Sequence, residues 1–444
     1  MNGRPLRSGA ILLSVAQVVT AASGFLTTIL VARIEGPEGV GAYTVALSLL
    51  LLLGALASLG LENGIAWSVA SGRWDPGAAL RESQLLAFGL GLLGVAIALL
   101  ARLIVPDAFG GLSVGLTALA AGGLPFLISW QYTRWLAVAL DRYEAFVLPP
   151  ALVSVLALVL CGAGAALAGV DGVVIGLLAA YALTAAVALV DAVRAVPRVG
   201  AATSGGEGGR TPLREAIAFG IRANAANVLQ LISLRIDLFV LSAVATGAEL
   251  GEYSAAVSVT SVMLLAPQTL AYIVFPRVAA LSAAGEEGEA QRSIVEAKAL
   301  RHVSLLTLVS IPIVAVAMAI AVPLLYGRDF EGAIVLGLVL LPGVALFGLA
   351  TVLAFTINGR GFPGYSLRAA LISTPPALVL YGVLIPLFGD VGAAIASTAS
   401  YALLFAVTAV YYRRATGDRV LPLLVPTRHE VADLRALVRA PRLD

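Results

Sequence analysis

A chain of 444 residues that is 60% hydrophobic and 12% charged, with a mean hydropathy of +0.97, has too little polar surface for a water-soluble domain. The formal net charge is only +2, so its distribution matters more than its size. A single cysteine, Cys161, excludes a disulfide framework, and His302 and His429 give no basis for a zinc site.

A bilayer helix needs about 20 mainly apolar residues. Taken in chain order, such runs predict spans at 8–33, 42–70, 80–104, 112–140, 145–169, 172–195, 213–245, 250–283, 301–325, 332–357, 364–388 and 391–412. The first is too long for the apolar core of a signal peptide. Residues 196–212, VPRVGAATSGGEGGRTP, are rich in Gly, Ser and Thr and predict a cytoplasmic linker between two halves of six helices. Residues 284–300 are charged and predict a partly helical surface connection, and Thr427 with Glu430 after Pro426 matches a capping box that predicts a short amphipathic helix. The expected organisation is a six-helix bundle at 1–195, a linker at 196–212, a second bundle at 213–415 and a cytoplasmic tail at 416–444.

Lys and Arg fall mostly on one side of these spans: Arg4, Arg7, Arg73, Arg81, Arg142, Arg194, Arg277, Arg292, Lys298, Arg360 and Arg413 are among them. The other side holds Arg33, Arg102 and Arg328. This bias places both termini in the cytoplasm. It reads as a solvated inner face near anionic lipid and not as a nucleic-acid surface.

The halves repeat each other. GAYTVA at 41–46 answers GEYSAA at 251–256, Leu124-Pro125 answers Leu341-Pro342, and Gly172, Ile175 and Tyr181 answer Gly392, Ile395 and Tyr401. The separations are 210, 217 and 220 residues, so equivalents lie six helices apart and share orientation, as a pseudo-two-fold along the membrane normal requires. On this basis Asp141 pairs with Asn358 at the exit of the fourth helix of each half.

The seventh span contains SLRIDLF, with Arg235 and Asp237 two residues apart. At about 100° per residue they point in nearly opposite directions, so they are poor mutual partners. Arg222, Gln230, Ser233 and Asp237 share one face; Asn224, Asn227 and Arg235 share another. Shifting by 210 maps these faces onto Ser14, Gln17, Thr20, Ser23 and Thr27 of the first span, polar but uncharged. An ionised group facing lipid is costly, so both spans are expected to line a wet central space. Glu62, Arg134 and Gln268 are further polar groups inside spans; for Glu62 and Arg222 the plain alternative is snorkelling to the interface. For Arg235 and Asp237 it is a static network that fixes packing.

Several stretches resemble a family. LVARIEGPEGVGAYTVALSL, LASLGLENGIAWSVA, DLFVLSAVATGAELGEYSAAVSV, FPRVAAL and DVGAAIASTASY are similar to the polysaccharide flippases of the multidrug/oligosaccharidyl-lipid/polysaccharide exporter superfamily, whose members are MATE-like. The resemblance implies an all-α polytopic membrane protein, with about 12 transmembrane helices in two six-helix bundles arranged in a V. It implies export of an undecaprenyl-diphosphate-linked oligosaccharide across the bacterial cytoplasmic membrane by alternating access. Cationic cavity residues of relatives make Arg134, Arg222 and Arg235 substrate-binding candidates, with Asn224, Asn227, Gln230 and Gln17 beside them. Asp237 matches the family's helix-seven aspartate, and Asp237 or Glu62 is the candidate for coupling to a proton or sodium ion. Membrane lipids and the polymerase or glycosyltransferases of the same pathway are the expected partners.

Other transporters remain open at this point. The first span has neither the arginine of lipid II flippases nor the acid of drug antiporters, and SGRWDPGAALRES does not fit the loop of major-facilitator carriers. A membrane glycosyltransferase would need acids, bases or a metal on sizeable outer loops, and these loops are short. No Walker motif is present, so ATP is not the direct energy source, and no cofactor is expected.

Overall fold

The computed structural model describes residues 4–196, 212–283, 285–427 and 430. Residues 197–211 of the expected linker and nearly all of the tail beyond Thr427 lie outside the described residues. Among those described there are helices and no strand: α1 Arg4–Ala57, α2 Leu61–Ala70, α3 Pro76–Ile104, α4 Val114–Ala121, α5 Leu124–Ala139, α6 Tyr143–Ala195 and α7 Pro212–Ser242. Then follow α8 Gly247–Ser261, α9 Leu265–Ala283, α10 Glu286–Ala321, α11 Gly332–Gly359, α12 Pro363–Thr416 and the short α13 Val420–Leu423.

As straight rods, α1, α6 and α12, with 54, 53 and 54 residues, would each reach about 80 Å. The hydrocarbon core is only about 30 Å thick. Each is therefore broken at a glycine with positive φ, Gly36 at 68°, Gly169 at 61° and Gly389 at 60°, a region that side chains disfavour. In α6 a Cβ added to Gly172 would fall 2.0 Å from the Gly164 carbonyl oxygen, although residues eight apart in one helix are separated by about 12 Å. The two arms thus run back along each other. The same 2.0 Å approach joins Gly392 to the Leu384 carbonyl in α12, at a constant offset of 220 residues.

Eight helical stretches among the described residues are long and apolar enough to cross a membrane, and three of them hold two spans each. With α7, a further helix of 31 residues, they account for the twelve expected spans, and the chain is a multi-pass membrane protein. Its packing follows the rule for lipid, where small residues draw helices together. Helix α3 buries Ala79, Ser83, Ala87, Gly91, Gly94 and Ala98 and exposes Leu85, Leu92, Leu93, Leu100 and Leu103. Gly91 lies against Pro125 and Gly94 against Leu124, whereas Gly89 meets nothing.

Two compact units emerge from the contacts. One comprises Met1–Ser254 with Leu325–Asp329, the other Ala255–Leu324 with Phe330–Asp444. The first contains α7, which lies along α1 and α2. The second is built around Leu300, Val303, Val352, Leu353, Ile357 and Tyr412, all essentially inaccessible.

Some local expectations need correction. Leu124-Pro125 opens α5 after a break at Gly122-Gly123, but Leu341-Pro342 lies inside the uninterrupted α11. The equivalent of Asp141 is Gly361 and not Asn358: both have positive φ (55° and 87°), and Arg142 N–H to Ala137 O is matched by Phe362 N–H to Ile357 O. The charged stretch from Glu286 onward is continuous helix with the ninth span. Thr427 makes half of the capping box, donating its N–H (2.8 Å) to the Glu430 carboxylate, to which its hydroxyl also donates. These bonds, the hydroxyl's foremost, hold the Glu430 carboxyl down at about 2. The helix expected after it lies outside the described residues.

If the 220-residue repeat is a packing repeat, Gly172→Ala and Gly392→Ala should each destabilise the protein by roughly 1–3 kcal/mol, the range for overpacking. Gly382→Ala, with no neighbour within 4 Å, should not. Thermal unfolding of the purified variants in detergent checks both expectations.

Candidate functional site

Helix α7 carries polar and charged residues through a span because α2 approaches it backbone to backbone. A Cβ at Gly60 would sit 2.3 Å from the Gly220 carbonyl oxygen, and one at Gly64 would sit 2.1 Å from that of Ala216. Glycine and alanine at these positions let the two helices touch along their main chains, the contact that favours association in lipid. Trp67 and Phe219 continue the seam as stacked rings 4.8 Å apart.

The second span is interrupted where this seam begins. Leu59 and Gly60 both have positive φ, at 52° and 66°, and α2 restarts at Leu61. Tyr132 of α5 donates its hydroxyl to the Ser58 carbonyl at 2.8 Å, satisfying an acceptor exposed by the break. Glu62 follows in the first turn of α2. It is 8% exposed and does not snorkel, and its Oε2 atom has no hydrogen-bond partner. Asn224, also 8% exposed, packs against Gly60 and accepts a hydrogen bond from Asn227 Nδ2 at 3.2 Å.

Further along α7, the two charges of SLRIDLF find separate partners. Asp237, 3% exposed, accepts 2.6 Å and 2.9 Å hydrogen bonds from the Tyr253 hydroxyl and the Leu238 N–H. Arg235 reaches Ser48 of α1 at 3.5 Å and lies within electrostatic range of the buried hydroxyls of Tyr43 and Tyr181. Among the described residues, no carboxylate forms a salt bridge with Arg235.

The remaining candidates are dispersed. Arg134 is held over the ring of Phe146, 4.0 Å from its centre, with Trp130 at 5.8 Å. Gln17 and Gln230 are half-buried and Asn227 is exposed, while the Arg222 side chain lies outside the described residues. On the polar face of the first span, Gln17 and Thr20 are half-buried, whereas Ser23 and Thr27 are buried and Thr27 donates to the Ser23 carbonyl at 2.8 Å. Serine and threonine can satisfy themselves this way inside a helix.

Sequence reasoning missed the tyrosines. Tyr253 lies sixteen residues after Asp237 in GEYSAA, and its repeat counterpart Tyr43 lies in GAYTVA. The repeated motif was itself the signal, because each copy supplies a hydroxyl beside a charge of α7. A second omission is in the second unit. Arg360, assigned to a solvated face, is 6% exposed at its side chain and makes a bidentate pair with fully buried Glu296 at 2.8 and 2.6 Å. Tyr412 donates to the same carboxylate at 3.3 Å.

The Asp237–Tyr253 bond has a measurable worth. Tyr253→Phe should destabilise the protein by about 1–3 kcal/mol, the cost of leaving a buried acceptor short of a donor. Adding Asp237→Asn should cost less than the two changes summed, as expected for coupled neighbours. Thermal unfolding of the single and double variants reports both.

The chain matches the model of a family described as polysaccharide biosynthesis protein over residues 6–282. It is 26% identical over 168 residues to the probable low-salt glycan biosynthesis flippase Agl15 of Haloferax volcanii. That match covers 38% of this chain and 35% of the relative, so the chain spans about a third of the length of that protein. Among solved structures it is similar to the lipid II flippase MurJ in an inward closed conformation, with a TM-score of 0.66 and 13% identity over 98% of this chain and 94% of that one. An inward-facing multidrug resistance MATE family transporter of the MOP superfamily gives 0.71 and 16% over 93% and 98%. A MOP superfamily transporter from Pyrococcus furiosus gives 0.61 and 16% over 93% and 95%. At such identities the likeness is one of fold.

Proposed function

The chain belongs to the polysaccharide biosynthesis protein family, and from that premise we propose that it flips a lipid-linked oligosaccharide across a membrane. The substrate is an undecaprenyl-diphosphate carrying a repeat unit of O-antigen, capsule or exopolysaccharide. It moves from the inner to the outer leaflet of the bacterial cytoplasmic membrane, and both termini of the protein face the cytoplasm. The work is transport and not catalysis. Residues 1–195 and 213–415 act as the two six-helix bundles of an alternating-access cycle. The headgroup crosses through the protein while the polyprenyl tail stays in lipid.

One observation carries this reading beyond the family match. Arg235 stands inside a membrane span with hydroxyl neighbours and, among the described residues, no paired carboxylate. A guanidinium in that state retains donors for an anion, and its planar fork suits a diphosphate. Arg134 and Arg222 are further cations for the headgroup or acidic sugars, with Asn224, Asn227, Gln230 and Gln17 as polar contacts for sugars. Asp237 or Glu62 is the carboxyl group through which a proton or sodium ion would couple. Polymerase and glycosyltransferases of the pathway are the partners that supply and consume the substrate. A lipid II specificity is less well supported, since the first span carries no internal arginine.

Transport in proteoliposomes tests the proposal. Wild type should move an undecaprenyl-diphosphate oligosaccharide and leave a cationic dye behind. Arg235→Ala should slow movement about tenfold or more, the kinetic equivalent of losing one charge-assisted contact worth about 1.5–3 kcal/mol. Arg235→Lys should fall between. Movement of the dye alone would replace this reading with that of a small-molecule exporter.

A further inference from the structure

Glu62 is a buried acid that, among the described residues, pairs with no cation, and it lies beside the main-chain seam of α2 and α7. Its Oε2 is enclosed and lacks a hydrogen-bond donor, while the remainder of the carboxyl group lies beside the Ser58 hydroxyl and its own N–H. The Ser58 carbonyl offers no further lone pair of use, since it already accepts from Tyr132 O–H at 2.8 Å and Leu61 N–H at 2.9 Å.

The charged and titratable groups on the elements around α2 do not supply a partner. From α5 come Tyr132, committed to Ser58, and Arg134, held over Phe146. From α7 come Arg214, exposed, and Glu215, half-buried; the Arg222 side chain lies outside the described residues. Arg81 and Glu82 of α3 are both exposed. Among the described residues none of these pairs with Glu62.

An ionised carboxylate in such a place is an uncompensated charge, whereas the protonated acid is a neutral polar group. A metal cation would need a shell of several oxygens, and the site presents one free carboxylate oxygen and one hydroxyl. The geometry suits a proton.

At the level of this acid the seam is main chain against main chain, with the Asn224 side chain beside Gly60 and the stacked Trp67 and Phe219 rings beyond. Gly60 and Gly64 touch the backbone of Gly220 and Ala216, so α2 and α7 can part at this level without unthreading anything. We propose that Glu62 is a proton-binding site that controls this seam: it holds a proton on its carboxyl oxygen while α2 lies on α7, and releases it to water when the two helices part. Each closing takes up one proton and each opening returns one, so the equilibrium of the seam is linked to pH through Glu62. Asp237, satisfied by Tyr253 and Leu238, then serves as a tie between α7 and α8. This rests on the transporter reading only in taking the parting of α2 from α7 as a step of the cycle.

The test needs no substrate. Full-length protein in lipid nanodiscs is titrated from about pH 5 to about pH 9, spanning the tail of raised carboxyl values seen at buried sites, and followed by infrared difference spectroscopy. A protonated-carboxyl band should disappear as the pH rises, and should be absent throughout in Glu62→Gln but present in Asp237→Asn. In parallel, spin labels at Trp67→Cys and Phe219→Cys, in a Cys161→Ala background, report the seam. Their separation should grow as the pH rises in the Glu62 protein and stay short at every pH in Glu62→Gln. A band unchanged in Glu62→Gln overturns the proposal. So does a label separation that ignores pH, or that responds equally in both proteins. Because no lipid-linked sugar is involved, those outcomes leave the flippase reading standing, and failure of oligosaccharide transport alongside a positive result here would remove that reading alone.

Discussion

The contact between the main chains of α2 and α7 is the constraint from which the first unit follows. Inside a bilayer there is no hydrophobic drive to bring two helices together, and close approach must come from small residues and internal hydrogen bonds. Gly60, Gly64, Ala216 and Gly220 allow that approach, and the left-handed pair Leu59–Gly60 turns the second span so that α2 can follow α7. Once the helices are this close, Asn224 and Glu62 are shut from solvent. The same helix α7 then brings Arg235 to Ser48 and Asp237 to Tyr253. Charges tolerated in a span are thus a consequence of where the backbone can go.

The repeat works by the same means. Gly169 and Gly389 reverse the chain, Gly172 and Gly392 let the returning arm touch the outgoing one, and Asp141 and Gly361 close the preceding helices with matching hydrogen bonds. The contacts are between main chains, and side chains elsewhere in the two halves are free to differ. That freedom places Asp237 in one half where the other has Thr27, each sixteen residues before a tyrosine of the repeated motif. A duplicated frame with unlike polar residues is a natural way to make an asymmetric site.

Much of the fold was legible because apolar length is a strong signal in a membrane chain. The hairpin breaks coincide with the gaps between expected spans at 169–172 and 388–391. Helical projection correctly separated Arg235 from Asp237, since direction around a helix depends only on spacing. What projection lacks is the identity of the neighbour. It could not place Asn224 against Gly60 rather than in a cavity, nor see that Thr27 satisfies itself. Glu296 and Arg360, 64 residues apart, each looked like a loop charge, and only folding makes them a buried pair. The Leu-Pro pair repeats at Leu341-Pro342, yet α11 absorbs that proline without the break that precedes Leu124.

The central proposal is chemical: that the chain recognises a lipid diphosphate through Arg235. The measurement that bears on it most directly is native mass spectrometry of the purified protein with undecaprenyl-diphosphate oligosaccharide and with neutral polyprenol, for wild type and Arg235→Ala. The account predicts that the diphosphate is retained and the polyprenol is not, with retention about ten- to hundredfold weaker in the variant, as losing a charge-assisted contact implies. Equal retention of both lipids, or of the diphosphate by both proteins, would contradict it.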